Sequence, residues 1–110
     1  MHKSMYAKYI MEREGAETIE SHKGFISYKF DDKFCIITDI FIDPMFRNND
    51  VGRLFGQEVE QKAKEKEINV IYCFADKNAL NYEDSVNFIL KNGYKLESQN
   101  KDRVMFKKEL

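Results

Sequence analysis

The stretch Asp39-Ile40-Phe41-Ile42-Asp43-Pro44-Met45-Phe46-Arg47-Asn48-Asn49-Asp50-Val51-Gly52-Arg53-Leu54 decides the fold. An apolar strand runs into it and ends at Ile42, because Pro44, the only proline, cannot donate to a further ladder. A polar loop follows and opens directly into an amphipathic helix. The first amides of such a helix have no intrahelical partners and sit at the positive end of its dipole, so the turn suits an anion. Arg47 adds a charge and donors matched to phosphate, and Gly52 removes a side chain where a ligand would approach closely. The same residues also suit an ordinary strand-to-helix loop with a solvated arginine.

The elements on either side follow from periodicity. Downstream, Asp50 to Lys66 is expected to be helical, with Val51, Leu54, Phe55, Val59 and Ala63 on one stripe. Val70 to Ala75 is a short buried strand, which makes strand, helix, strand a parallel unit. Asn81 is positioned to cap a further helix, with Asp84 completing a capping box and Tyr82, Val86, Ile89 and Leu90 facing inward. Asn92-Gly93 stops it, with Gly93 in the left-handed conformation, and Tyr94 to Ser98 with Arg103 to Lys107 form a last hairpin. Upstream, Gly24 to Phe30 and Phe34 to Ile42 form a hairpin whose second strand is apolar on both faces, as a central strand would be. Glu17 to Glu20 adds a short strand. Lys3 to Arg13 is a helix with Met5, Tyr6, Tyr9 and Ile10 as its apolar positions, ended by Gly15. The sum is an α+β domain around one mixed, mostly antiparallel sheet.

Composition limits what this domain can do. Its 110 residues leave room for one domain, residues 1–110, and 15 Phe and Tyr supply a core. Eighteen Lys and Arg against 19 Asp and Glu, interspersed, argue against a nucleic-acid footprint. The longest apolar run, Val70 to Ala75, is too short for a bilayer. The start, Met1-His2-Lys3-Ser4-Met5-Tyr6, carries no leader pattern, so a soluble cytoplasmic protein is expected, with Cys35 and Cys73 as reduced core thiols. His2 and His22 are isolated, and no Cys/His spacing suits a metal. Neither a G-x-x-x-x-G-K-[ST] nor a G-x-G-x-x-G turn is present.

Arg47-Asn48-Asn49-Asp50-Val51-Gly52, preceded by Ile42-Asp43-Pro44 and followed by Leu54, resembles motif A of the Gcn5-related N-acetyltransferases (GNAT). Asn92-Gly93-Tyr94 at a helix end is similar to the close of that family's motif B. The resemblance, from about Gly24 to the C-terminus, implies a GNAT-like fold and acetyl-CoA as co-substrate, without a metal. It implies that the amides from Asn48 to Arg53, with Arg47, cradle the pyrophosphate, and that Ile40, Phe41 and Ile42 pair with the pantetheine arm as an added strand would. An amide near Ile42 would polarise the thioester. A primary amine, on a protein, a peptide or a small molecule, would attack directly, with Asp39 as general base and Asp43 as second choice.

Two positions depart from the family pattern. The first motif glycine is Asp50, which sets a carboxylate beside the expected pyrophosphate, and the position of the family's general-acid tyrosine is Ile89. These departures leave open a non-catalytic acyl-CoA-binding or protein-interaction module of the same fold. A small effector that acetylates one partner protein is a third reading. The short N-terminal part implies an open acceptor side or a homodimer that completes it.

Overall fold

Ser4 starts the first helix by accepting the amide of Ala7 on its hydroxyl, and Gly15 ends it in the left-handed conformation. The computed structural model describes residues 3–110; Met1 and His2, where the leader reading begins and one lone histidine sits, lie outside them. Helix α1 (Met5–Glu14) buries Ala7 and Ile10, while Met5 and Tyr9 are exposed. The expected apolar face is therefore shifted: small Ala7 joins Ile10 against the sheet near β1, Tyr6 is half-buried, and Met5 and Tyr9 point outward.

Six strands follow: β1 (Glu17–Ser21), β2 (Gly24–Phe30), β3 (Cys35–Ile42), β4 (Val70–Asp76), β5 (Lys95–Gln99) and β6 (Arg103–Glu109). They form one sheet in the order β1-β2-β3-β4-β6-β5, and only β3 with β4 is parallel. Helix α2 (Val51–Glu65) supplies the crossover between them, and α3 (Tyr82–Lys91) joins β4 to the last hairpin. The expected mixed, mostly antiparallel α+β architecture is the one observed.

The core lies between α2 and the sheet. Val51, Phe55, Val59 and Ala63 meet Ile26, Tyr28, Cys35, Ile71, Cys73 and Phe106. Full burial of each large apolar side chain contributes roughly 1.5–3 kcal/mol, so this layer holds α2 against β2, β3 and β4. Leu54, expected on the same stripe, is 52% exposed. The small Gly52 takes the inward position instead.

Helix α3 is held less firmly. None of its residues is buried, and only Tyr82, Val86 and Ile89 pack against the core, with Leu90 outside. Asn81 precedes the helix but makes no side-chain capping bond, so the expected capping box does not form. Gly93 takes its left-handed conformation (φ 92°) as expected.

Candidate functional site

The β3–β4 ladder pairs Cys35 with Ile71 and Ile36 with Tyr72 and goes no further. Beyond that point β4 continues with β6, and β3 with β2, so the two strands part. The gap is a cleft of about 570 Å³. Ile37, Thr38, Asp39 and Ile40 line one side and Cys73, Phe74, Ala75 and Asp76 the other. The expectation of a β3 buried on both faces is corrected here. Its second half, Asp39 to Phe41, is exposed, because β4 has left its side.

A bulge sets the direction of Asp39. Along β2, Ser27 pairs with Asp39 and Tyr28 with Ile37, so Thr38 is one residue too many on β3. Without the extra residue, Asp39 would share a face with Cys35 and Ile37 and point into the core. With it, Asp39 and Phe41 move to the α1 face, beside Ser27 and Phe25. The Tyr6 hydroxyl on α1 donates to Asp39 Oδ2 at 3.2 Å. Burial first, and the Asp39 charge second, raise the Tyr6 phenol above its ordinary range. Thr38 itself lines the cleft, and its Oγ1 is buried without a hydrogen-bond partner among the described residues. A buried hydroxyl left unpaired is costly, which fits a polar ligand group in the cleft.

The turn after β3 is a short 3-10 segment (Pro44–Phe46) capped by Asp43, whose Oδ1 accepts the Met45 amide at 2.9 Å. Asn48 and Asp50 then adopt left-handed backbone, with φ of 67° and 62°. Asn and Asp tolerate this conformation better than other non-glycine residues. Asp50 occupies the position before α2 but makes no capping bond; its Oδ1 faces Arg53 Nε at 3.4 Å. The amides of Val51, Gly52 and Arg53 therefore have neither an intrahelical nor a side-chain acceptor. Arg47 reaches back, donating from Nε to the Ile42 carbonyl at 2.9 Å, with its guanidinium 5.6 Å from the centre of the Phe41 ring.

The cleft thus brings together Asp39, Ile40, Gly52 and Arg53 of the sequence-derived residues. Phe41, Ile42, Arg47, Asn48, Asn49, Asp50 and Val51 lie outside its lining. Gly52 has a structural reason of its own: a Cβ there would lie 2.6 Å from the Phe88 ring. The close approach that requires glycine is made by α3.

The opposite wall is lined by Ile89 and Tyr94, both singled out in the sequence, and by Phe88, which was not. At the far end, Lys108 Nζ meets Glu60 Oε1 at 2.7 Å and also donates to the Asn92 carbonyl at 2.9 Å, tying β6, α2 and the end of α3 together. Burial raises Tyr94 well above its usual range, with the Cys73 and Glu60 charges adding to it, and pushes Cys73 to about 12. Both stay protonated near neutrality, so Cys73 offers no thiolate for covalent catalysis. Among the described residues no group of three or more His, Cys, Asp or Glu is placed to hold a metal ion. No helix among them is long and apolar enough to cross a membrane.

Comparison with known proteins agrees with this geometry. The family model described as "Acetyltransferase (GNAT) family" matches residues 6–94. Among solved structures, the PaiA N-acetyltransferase of Thermoplasma acidophilum in complex with coenzyme A superposes with a TM-score of 0.73 at 21% identity. That match covers 79% of this chain and 53% of the other, so the chain spans about half the length of that relative. A GNAT family acetyltransferase of Elizabethkingia anophelis with acetyl-CoA bound gives 0.74 at 14% identity, covering 97% and 86%. The anti-CRISPR protein AcrVA5 gives 0.67 at 17%, covering 82% of this chain and 96% of its own. No curated protein matches the chain significantly.

Proposed function

The chain belongs to the acetyltransferase (GNAT) family, and from that premise we propose that it transfers an acetyl group from acetyl-CoA to a primary amine by direct attack. The observation that carries this reading is the parting of β3 from β4, with the buried, unpartnered Thr38 hydroxyl at the gap and Asp39 turned to the far face by the bulge. The residues fit the co-substrate. The open β3 edge from Ile37 to Ile40 offers backbone groups to an extended amide-bearing arm. The free amides of Gly52 and Arg53, at the cleft wall, suit the anionic end of the co-substrate, and Thr38 Oγ1 is placed to donate to a carbonyl or accept from an amide in the cleft.

Acetyl-CoA supplies an activated acyl group whose departing thiolate is stable enough to leave without covalent help. This chain's part is to exclude water, align the amine and remove its proton. Asp39, on the α1 face and held by Tyr6, takes the proton as nitrogen bonds to the acyl carbon. The C–S bond breaks, and the thiolate takes up a proton from solvent. Ile89 in the wall supplies no acid, and that favours a second reading, a module that binds acyl-CoA without transfer.

Calorimetric titration of CoA-free protein with acetyl-CoA, with ATP as control, tests the site. Micromolar binding to acetyl-CoA alone supports it, with about 2.7 kcal/mol of added stability at a hundredfold excess over Kd. Binding followed by acetylation of amines supports the enzyme, binding without transfer the module. Absence of binding would falsify both.

A further inference from the structure

The cleft reaches further than an arm lying between the strands can follow. Such an arm adds to the β3 edge from Ile40 back to Ile37 and must stop where Ile36 and Tyr72 close the ladder. On the α2 side the cleft goes on over the joined strands. Its far end is Lys108, which pairs with Ile71 across the β4–β6 ladder, and Ile71 already pairs with Cys35. A lobe therefore lies ahead of the point where a thioester would come to rest.

Gly52, Gly56 and Glu60 fall on one stripe of α2, four residues apart, and all three line the cleft. The Phe88 ring accounts for Gly52, but no protein atom lies within 4 Å of a Cβ built at Gly56. Glycine weakens a helix interior, so its place here answers to open space and not to packing. Gly56, Cys73 and the Tyr94 ring give the lobe apolar walls. A satisfied ion pair closes it, since Lys108 Nζ meets Glu60 Oε1 at 2.7 Å and donates to the Asn92 carbonyl at 2.9 Å. A pair so neutralised does not recruit an ionised chain end, and covering it with a methyl group would strip its water. From Gly56 to Glu60 is about one helical turn, roughly 6 Å, and an extended chain advances roughly 1.2 Å per bond, so about five bonds fit.

We infer that this lobe holds the acyl chain of the donor, and that the protein binds short, unbranched acyl-CoA thioesters of about four to six carbons in preference to acetyl-CoA. Transfer of such a group forms the same N–C bond and breaks the same C–S bond as acetyl transfer, with the proton passing to Asp39. The inference rests on the acetyltransferase reading of the cleft, and its test separates the two.

The test is the calorimetric affinity of CoA-free protein for CoA and for its acetyl, butyryl, hexanoyl and decanoyl thioesters. Each buried methylene is worth about fourfold, less in an open groove, so butyryl-CoA should bind ~10-fold more tightly than acetyl-CoA. Hexanoyl-CoA should bind at least as tightly as butyryl-CoA, and decanoyl-CoA more weakly than hexanoyl-CoA. Gly56→Leu fills the lobe and should bring the butyryl-to-acetyl preference down to about 1, while the milder Gly56→Ala should lower it about threefold. Binding of CoA itself shows that each variant is folded. Equal affinity of the wild type for acetyl-CoA and butyryl-CoA overturns the lobe, as does a preference untouched by both variants. Affinity that climbs on through decanoyl-CoA overturns its closed end. A wild type that binds no CoA at all overturns the acetyltransferase reading, and this inference with it.

Discussion

The Tyr6 hydroxyl, carried on α1, donates to Asp39 Oδ2, carried on β3, across 3.2 Å and 33 residues of sequence. The pair exists because the bulge at Thr38 delivers Asp39 to the α1 face and because Ala7 and Ile10 seat the helix there. The hydrogen bond fixes the carboxylate in one orientation, which a general base needs.

Asp39→Asn tests both ends of the pair. The substitution removes the charge and keeps an oxygen to accept the bond, so Tyr6 should titrate at lower pH than in the wild type. It should still titrate above an ordinary tyrosine, because burial, the larger cause, persists. Ring-labelled tyrosine resonances followed with pH, assigned through Tyr6→Phe, give the measurement. Acetyl transfer should fall about 10²–10⁴-fold with the affinity for acetyl-CoA retained. An unmoved Tyr6 titration would show that the hydroxyl does not sense Asp39.

Asp50→Gly is expected to leave stability nearly unchanged. Asp50 holds φ at 62°, where an ordinary side chain costs roughly 1–2 kcal/mol, Asp less, and glycine nothing sterically. Against this stand the greater freedom of glycine in the unfolded chain, worth about 0.4–1 kcal/mol, and an exposed contact with Arg53 worth at most about 1 kcal/mol. The opposing terms are of similar size, so a change within about 0.5 kcal/mol in urea unfolding is expected. The same change removes a carboxylate beside the free amides of α2, so acetyl-CoA should bind more tightly. Weaker binding would mean that Asp50 itself holds the ligand.

Cys73 separates direct transfer from a covalent route. Its thiol lines the cleft, yet burial raises it to about 12, so the thiolate is scarce at neutral pH. Alkylation of native protein should be slow until the pH approaches that value, and Cys73→Ala should keep acetyl transfer within about threefold while costing about 1 kcal/mol of stability from the small cavity. Loss of transfer together with a labelled Cys73 would make it a nucleophile.

Much of the fold was legible because its signals are local. The stripe of α2, the alternation of β2 and the Asn92-Gly93 stop each depend on neighbours in sequence. The errors share a different origin. Thr38 looks like any strand residue, and only pairing with β2 reveals it as the extra one, so the face of Asp39 was not readable from alternation. The exposure of Asp39 to Phe41 depends on where β4 leaves β3, a tertiary event. Tyr6 looked like a core residue because its hydroxyl finds a partner only after α1 docks. The turn from Arg47 to Arg53 was visible as a motif, but not that Arg47 would bond the Ile42 carbonyl or that Gly52 would answer to Phe88.

Gly52 and Gly56 lie one turn apart on α2, both line the cleft, and they should respond in opposite ways to alanine. In a helix interior alanine is favoured over glycine by about 1 kcal/mol. At Gly56 a new Cβ meets nothing within 4 Å, so Gly56→Ala should gain about that much. At Gly52 the new Cβ falls 2.6 Å from Phe88 Cζ and 2.8 Å from Cε1, well inside contact distance. Overpacking of this kind costs about 1–3 kcal/mol, which exceeds the propensity gain. The ring belongs to α3, which buries no residue fully, so the helix can yield and the cost should stay near the lower end of that range. Gly52 is the second residue of α2, where the interior preference for alanine is weaker, so Gly52→Ala should destabilise by about 1 kcal/mol or less, and in a Phe88→Ala background it should be neutral to stabilising by about 0.5 kcal/mol. Urea unfolding of the two single variants and the double variant gives the coupling, expected at about 1 kcal/mol in favour of the pair. Additive effects would mean that α3 does not press on Gly52 in solution, and a fall in acetyl-CoA affinity without a stability change would return that glycine to the ligand.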